Sequence, residues 1–325
     1  MFTPKTLTLI TTHHCTAACR NCCFNCSPTR SETMSFSFMQ EVIDNITEQI
    51  PSIKIIVFTG GEFLTMNINA IIELLKYVKS KGLTSRIVSN GFWADSYIVT
   101  EQIIKRLTSA GLSELSISTG DEHQKYVPLH CILNIIKCQE DCRYLKNLSL
   151  AIEDHKDATF TYIKMMKIMT QLYGTSFQTN ILHSPWIESI KNVSKKKYCN
   201  PSPKGCYNLY SGIQVNPNGQ LLACCGFAAE YTGLLKDGYY KSYSSSLKFH
   251  LANRYNDILR MWIYIDGPRY IYYKLLGKKF SEQTHECEIC LKLFTDKKAL
   301  QEIENLPENI IKYIYYRFNL NKTKK

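Results

Sequence analysis

Cys15, Cys19 and Cys22 stand at a C-x3-C-x2-C spacing near the start of the chain. Three thiolates so spaced suit three irons of a [4Fe–4S] cube, whose ligation relies on Cys sulfur. The fourth iron is then left without a protein ligand, open to an external chelating group. A structural zinc site is the competing chemistry, with Cys23 or Cys26 as fourth ligand, although zinc more often takes paired C-x2-C knuckles. Downstream, Thr59-Gly60-Gly61-Glu62 follows the apolar run IKIIVF. Two glycines at a strand end let a ligand approach the backbone, and the Glu62 carboxylate suits an ammonium group. A third constellation is C-terminal: Cys206, Gly219 and Cys224, then Cys287-x2-Cys290, expected to form a knuckle. Four such thiols hold either a second cluster or a structural zinc, with Cys199 as an alternative to Cys206. Cys225 is a spare thiol beside Cys224. An S–H bond is weaker than a peptide Cα–H bond, so Cys225 suits hydrogen-atom donation; ordinary packing is the plain alternative.

These residues need elements to position them. Residues 5–12 alternate apolar and polar and read as a strand, and residues 35–50 have helical spacing with Ser35 as a cap. Strands are then expected at 53–58, 84–89, 113–118, 147–152 and 176–182, with helices at 67–81, 96–110, 128–145 and 158–173 between them. Such alternation argues for a parallel sheet with right-handed crossovers, as an open doubly wound sheet or a partial barrel. Either form places ligands at the carboxyl ends of the strands, which is where the first cysteines and the Gly-Gly-Glu run fall. After residue 185 a polar linker carries Lys191, Lys195, Lys196 and Lys197. A hairpin is expected around the turn NPNG, a loop at 242–246, and helices at 247–265, 268–279 and 295–318. Cys131, Cys138 and Cys142 share a helical face and read as small buried hydrophobes. His13, His14 and His123 fall near strand ends, and the many C-terminal tyrosines suit packing or a peptide groove.

Composition narrows the class. A chain of 325 residues with 45% hydrophobic and 21% charged residues has ample material for a core, in one large domain and one smaller unit. Its 14 cysteines are too sparse for a disulfide scaffold, and their clustering favours reduced thiols in a cytoplasmic setting. The N-terminus does not read as a secretory signal, and the most apolar stretch, 258–276, is interrupted by Arg260, Asp266, Arg269 and Lys274, so no membrane span is expected. The net charge of +11 is uneven: residues 1–120 carry ten Lys/Arg against nine Asp/Glu, so the excess lies later. A solvated Lys-rich surface explains most of it; the sharper alternative is a zinc-stabilised nucleic-acid-binding protein, for which the α/β repeat and the Gly-Gly-Glu run have no purpose.

The C-x3-C-x2-C loop after the first strand, with Gly-Gly-Glu after the second, resembles the radical S-adenosylmethionine (SAM) enzymes. The resemblance implies a partial (β/α)6 barrel over 1–185, a smaller Cys-rich α+β auxiliary-cluster domain over 199–300, and a C-terminal helix and basic tail over 301–325. It implies that Cys15, Cys19 and Cys22 bind the cluster, that its open iron chelates SAM, and that Gly60, Gly61 and Glu62 receive the SAM amino group. Ser89 and Asn90, and Ser116 and Ser118, match positions where the family contacts methionine or ribose. Asn21 departs from the aromatic that many members place before the third Cys. Cys206, Cys224, Cys287 and Cys290 resemble the auxiliary [4Fe–4S] domain of peptide-modifying members. The strings CTAACRNCCFNCSPT, FTGGE and SNGFW and the Cys-Cys pair together resemble the peptide epimerases that make epipeptides. That resemblance implies a ribosomally made precursor peptide as substrate and an electron donor such as flavodoxin or ferredoxin. It also implies that Cys225 donates the hydrogen atom that turns an L-residue into a D-residue. A maturase forming thioether or other crosslinks is the alternative within the same chemistry.

Overall fold

The computed structural model describes residues 4–154, 157–185, 201–224, 227–232, 236–243, 247–281 and 284–323. Its first half is a regular β/α alternation: β1 (Thr6–Thr12), α1 (Phe36–Gln49), β2 (Ile55–Gly60), α2 (Ile68–Ser80), β3 (Thr84–Ser89), α3 (Tyr97–Ala110), β4 (Leu112–Gly120), α4 (Leu129–Cys142), β5 (Asn147–Asp154), α5 (Tyr162–Tyr173) and β6 (Asn180–Pro185). The second half runs α6 (Asn208–Ser211), β7 (Gly212–Val215), β8 (Gln220–Leu222), α7 (Phe227–Thr232), β9 (Lys236–Tyr239), α8 (Tyr240–Tyr243), α9 (Leu247–Ala252), α10 (Ile258–Asp266), α11 (Pro268–Leu276), α12 (Glu286–Thr295), α13 (Lys297–Glu304) and α14 (Glu308–Thr323).

Strands β1 to β6 lie side by side in chain order, all parallel, as the alternation requires. This is the expected partial barrel. Along β1 and β4 the residues alternate between two environments. Leu7, Leu9, Leu115 and Ile117 enter the core under the helices, while Ser116 and Ser118 face the other way and are half-buried. α1 shows how a helix closes that core. Ser35 accepts from Phe38 N at its start, and Met39, Val42, Ile43 and Ile46 form one buried stripe. Burying each such side chain stabilises the fold by about 1.5–3 kcal/mol.

The sheet continues across the expected 185/199 boundary. β7 adds to β1 in parallel, and β8 and β9 follow antiparallel, giving nine strands in one sheet. The NPNG hairpin is present, with Gly219 at φ +74°. A second apolar cluster joins Ile10, Ala17 and Phe24 of the first half to Leu222, Met261, Trp262, Ile289 and Phe318 of the second.

Several boundaries differ from the expectation, among them a helix, α8, that enters the expected 242–246 loop. α5 begins at Tyr162, not 158, because the Asp121 carboxylate captures the N–H groups of Thr159 and Phe160, and Thr161 caps the helix. β6 begins at Asn180, because Glu140 binds the N–H groups of Gln178 and Thr179 and holds them outside the strand. The helix expected over 247–265 breaks at Asn253–Asp257, where the buried Arg254 guanidinium donates to Leu222 O (3.0 Å) and Asp257 caps a new helix. The helix expected over 295–318 is two, α13 and α14, with Pro307 between them, since proline cannot continue the hydrogen-bond ladder. The Cys287/Cys290 pair is not a knuckle: both lie within the first two turns of α12, three residues apart, on a helix capped by His285.

Candidate active site

The loop after β1 carries the first cysteines and is tied down at both ends. Ser27 N donates to His13 O and Cys15 N to Ser27 O, each at 3.2 Å. The Arg30 guanidinium donates to Asn25 O (3.0 Å), contacts the His13 ring at 2.8 Å and pairs with Glu32, holding that carboxyl down to about 2. Cys15 is buried, and Cys19 and Cys22 are half-buried. Burial pushes the Cys15 thiol up to about 11 and that of Cys19 up to about 12, and the neighbouring Cys22 adds to both. Cations supply what such a set lacks. Cys22 differs because the Cys26 thiol and N–H both donate to it, the latter at 3.4 Å, and its pKa falls to about 6. Cys26, which the sequence offered only as an alternative zinc ligand, is thus a hydrogen-bond donor to the third sulfur.

The Gly-Gly-Glu run abuts this loop. Gly61 N donates to Thr12 O (2.7 Å) and Glu62 N to His14 O (2.9 Å). A β-carbon on Gly61 would lie 2.0 Å from His14 O, and one on Gly60 2.5 Å from Thr12 O. The close approach these glycines permit is therefore that of the chain to itself. They seat Glu62 beneath the cysteines. The Glu62 side chain is fully buried and accepts from Leu64 N (3.0 Å), Ser89 Oγ (3.0 Å) and Asn90 N (2.8 Å). Burial outweighs these bonds and raises its pKa to about 7. No cationic side chain among the described residues pairs with it. A buried carboxylate ringed by donors and lacking a cation fits an external ammonium group.

The remaining expected SAM contacts separate into two kinds. Ser89 is buried and committed: its oxygen donates to Glu62 and accepts from Gly91 N and Trp93 Nε1, each at 3.0 Å. Asn90 is buried, and its amide donates to Thr16 Oγ1 (2.9 Å) and lies 3.7 Å from Cys15 Sγ. Both position Glu62 and the cluster loop. Ser116 and Ser118 stand on the open face of β4.

Asn21 is buried and donates to Glu153 Oε2 at 2.7 Å. His123 Nδ1 lies 3.5 Å from the same oxygen. Beside them Glu122 is buried; that burial acts to raise its pKa, yet hydrogen bonds from Arg20 and Lys125 outweigh it and hold the carboxyl down to about 2. The pairings of Asn21 with Glu153 and of Arg20 with Glu122 are not visible in the sequence, because the partners lie more than 100 residues apart.

The second cysteine set also assembles. Cys206 precedes the β7–β8 hairpin and Cys224 follows it, so the antiparallel return brings them to one end. α12 supplies Cys287 and Cys290. Burial drives the Cys290 thiol well above its ordinary value, and Cys224, Cys287 and Cys206 all raise it further. Cys19, Cys22, Cys206, Cys224, Cys287 and Cys290 all pack against the second apolar cluster. Among the described residues, no three cysteines bring their sulfurs within 4.8 Å of one another. A tetrahedral zinc with bonds of about 2.3 Å needs sulfurs roughly 3.8 Å apart. No three cysteines meet that spacing in either place among the described residues. Cys199 and Cys225 lie outside the described residues.

The family model "4Fe-4S single cluster domain" matches residues 6–107. YydG of Bacillus subtilis (strain 168), named for peptide biosynthesis, is 29% identical over 265 residues, covering 79% of this chain and 80% of that protein. The solved structure of histidine-tagged anSMEcpe with bound AdoMet matches with a TM-score of 0.58 at 11% identity, over 97% of this chain and 98% of that one. Native anSMEcpe with bound AdoMet and the Cp18Cys peptide matches with a TM-score of 0.48 at 12% identity, over 94% and 99%.

Proposed function

From a chain that has the radical SAM fold and a 4Fe–4S single-cluster domain, we propose a radical SAM peptide epimerase that converts L-residues to D-residues. Likeness to YydG, named for peptide biosynthesis, supports a peptide as substrate. The observation that carries epimerisation is Cys225, a thiol next in sequence to Cys224, which belongs to the second cysteine set.

Cys15, Cys19 and Cys22 hold three irons and leave the fourth open. Glu62 would receive the ammonium of SAM, and Ser116 and Ser118, on the open face of β4, would be available to the rest of the cofactor. When bound, the cluster and SAM would supply the radical chemistry by which a Cα hydrogen is removed from the peptide. Cys225 then gives its thiol hydrogen to the opposite face of that carbon. It regains a thiol by taking one electron and one proton, the electron coming from a donor of the flavodoxin or ferredoxin class. Cys206, Cys224, Cys287 and Cys290 would hold a second cluster.

The test is anaerobic turnover in deuterium oxide, with candidate peptides drawn from any short reading frames found beside this gene. Epimerisation adds deuterium at each altered residue, because the Cys225 thiol exchanges with solvent. Cys225→Ala is expected to cleave SAM yet yield no D-residue. A D-residue from that variant refutes the donor assignment, and a product short of two hydrogens indicates crosslinking.

A further inference from the structure

Three donor atoms that the cluster chemistry does not use meet between the loop after β3 and the first turn of α4. His130 Nε2 lies 3.3 Å from Asp95 Oδ1 and 3.6 Å from Cys131 Sγ. The donor atoms of all three residues lie within 4.8 Å of one another, the only such group among the described residues. These are the edge lengths of a metal tetrahedron. Zinc bonds of about 2.0–2.2 Å to imidazole and carboxylate and about 2.3 Å to thiolate put N and O roughly 3.3 Å apart, and N and S roughly 3.6 Å apart.

The surroundings hold the set in place. Asn134 Nδ2 donates to Ala94 O (2.9 Å) and Asp95 O (3.2 Å), fixing the loop to α4. Gly91 packs so closely that a β-carbon there would lie 3.0 Å from Ile135. Cys131 is buried while His130 and Asp95 are exposed, so the site has an apolar floor and a solvent-facing mouth. The sequence reading of Cys131 as a small hydrophobe explains its burial but not the approach of two further donors. An exposed Asp–His pair alone is worth little; the thiol turns it into a three-donor set with a free fourth position.

We propose that Asp95, His130 and Cys131 bind a divalent cation of the zinc class, with water as fourth ligand, clamping the 89–95 loop to α4. Binding releases the Cys131 proton and involves no redox step. The clamped loop carries Ser89 and Asn90, which hold Glu62, so occupancy steadies the cofactor's ammonium site.

The experiment is an anaerobic zinc titration of the holoprotein against a competing chelator, with iron and sulfide followed throughout. The wild type is expected to take up one more zinc than His130→Ala or Asp95→Ala, without iron loss, and its melting temperature rises with zinc where theirs does not. Asp95 and His130 are exposed, so these variants keep the fold; Cys131→Ser, which alters a buried side chain, is a supplementary arm. Retained sites in the single variants should weaken by about tenfold or more. Equal zinc uptake and affinity in wild type and His130→Ala, or uptake matched by loss of iron, overturns the proposal.

Discussion

Replacing Glu62 by glutamine removes a charge while keeping the shape. Its carboxyl moves from an ordinary 4.5 to about 7. At about 1.36 kcal/mol per pH unit, burial leaves the ionised group roughly 3 kcal/mol worse off than in water. The sign follows from a raised acid: the penalty is absent below about pH 4.5 and fully present above about pH 7. Glu62→Gln therefore relieves strain in the ligand-free protein above neutrality. Against that, its amide turns a donor toward Leu64 N, Ser89 Oγ or Asn90 N, which costs about 1–3 kcal/mol. The two nearly cancel, so the fold and the iron content are expected to survive. Cofactor affinity should not, since losing one partner of a buried charge pair costs about 2–5 kcal/mol, a weakening of roughly 30-fold or more. Equilibrium dialysis of labelled SAM against the reconstituted protein reads this directly. Wild-type affinity should also fall as pH drops through about 7, where Glu62 gains a proton, and the variant should lack that slope. A variant that binds SAM within about threefold of wild type, with its iron intact, refutes the reasoning.

Gly61→Ala should lose the first cluster, because its β-carbon would press against backbone 2.0 Å away; iron per chain and the melting temperature report it. Cys290→Ala should lower iron and sulfide by one cluster while leaving SAM cleavage, whereas Cys19→Ala should abolish cleavage; reductive cleavage assays on both separate the two sets. Glu122→Gln should destabilise the protein near neutral pH by about 1 kcal/mol, a figure discounted for the exposed partner Arg20. A depressed acid stabilises above its ordinary 4.5, so the wild-type advantage should fade as pH falls from there toward about 2 in denaturant titrations.

The sheet was readable because each parallel strand is a short, β-branched run between helices with caps, and local patterning alone decides that. The cysteine spacings drew attention because metal ligation favours such spacings. What local pattern missed depends on contacts from far along the chain. Glu140 delays β6 and Asp121 delays α5 by capturing backbone N–H groups 38 residues away. Arg254 breaks a helical run by reaching a carbonyl of β8, 32 residues earlier. The role of the glycines was half visible: their place at a strand end suggested close approach, but which atoms approach is a tertiary fact.

Asn21 shows how such contacts change the chemistry of a site. An aromatic at this position would offer an apolar face beside the cluster loop. The buried amide instead bonds the Glu153 carboxylate from β5, with His123 3.5 Å from the same oxygen. A carboxylate is thereby held close enough to raise the Cys19 thiol. Negative charge beside a cluster disfavours its reduction, while hydrogen bonds to its sulfurs favour it. The same loop supplies such bonds: Cys26 donates to Cys22, Ala17 N lies 3.4 Å from Cys15 Sγ, and the Asn90 amide lies 3.7 Å from it. A cluster held by Cys15, Cys19 and Cys22, as proposed, would have its potential set by opposing terms, the Glu153 charge on one side and three donors on the other. On that reading Cys26 and Asn90 would tune the proposed reaction without touching a reacting atom.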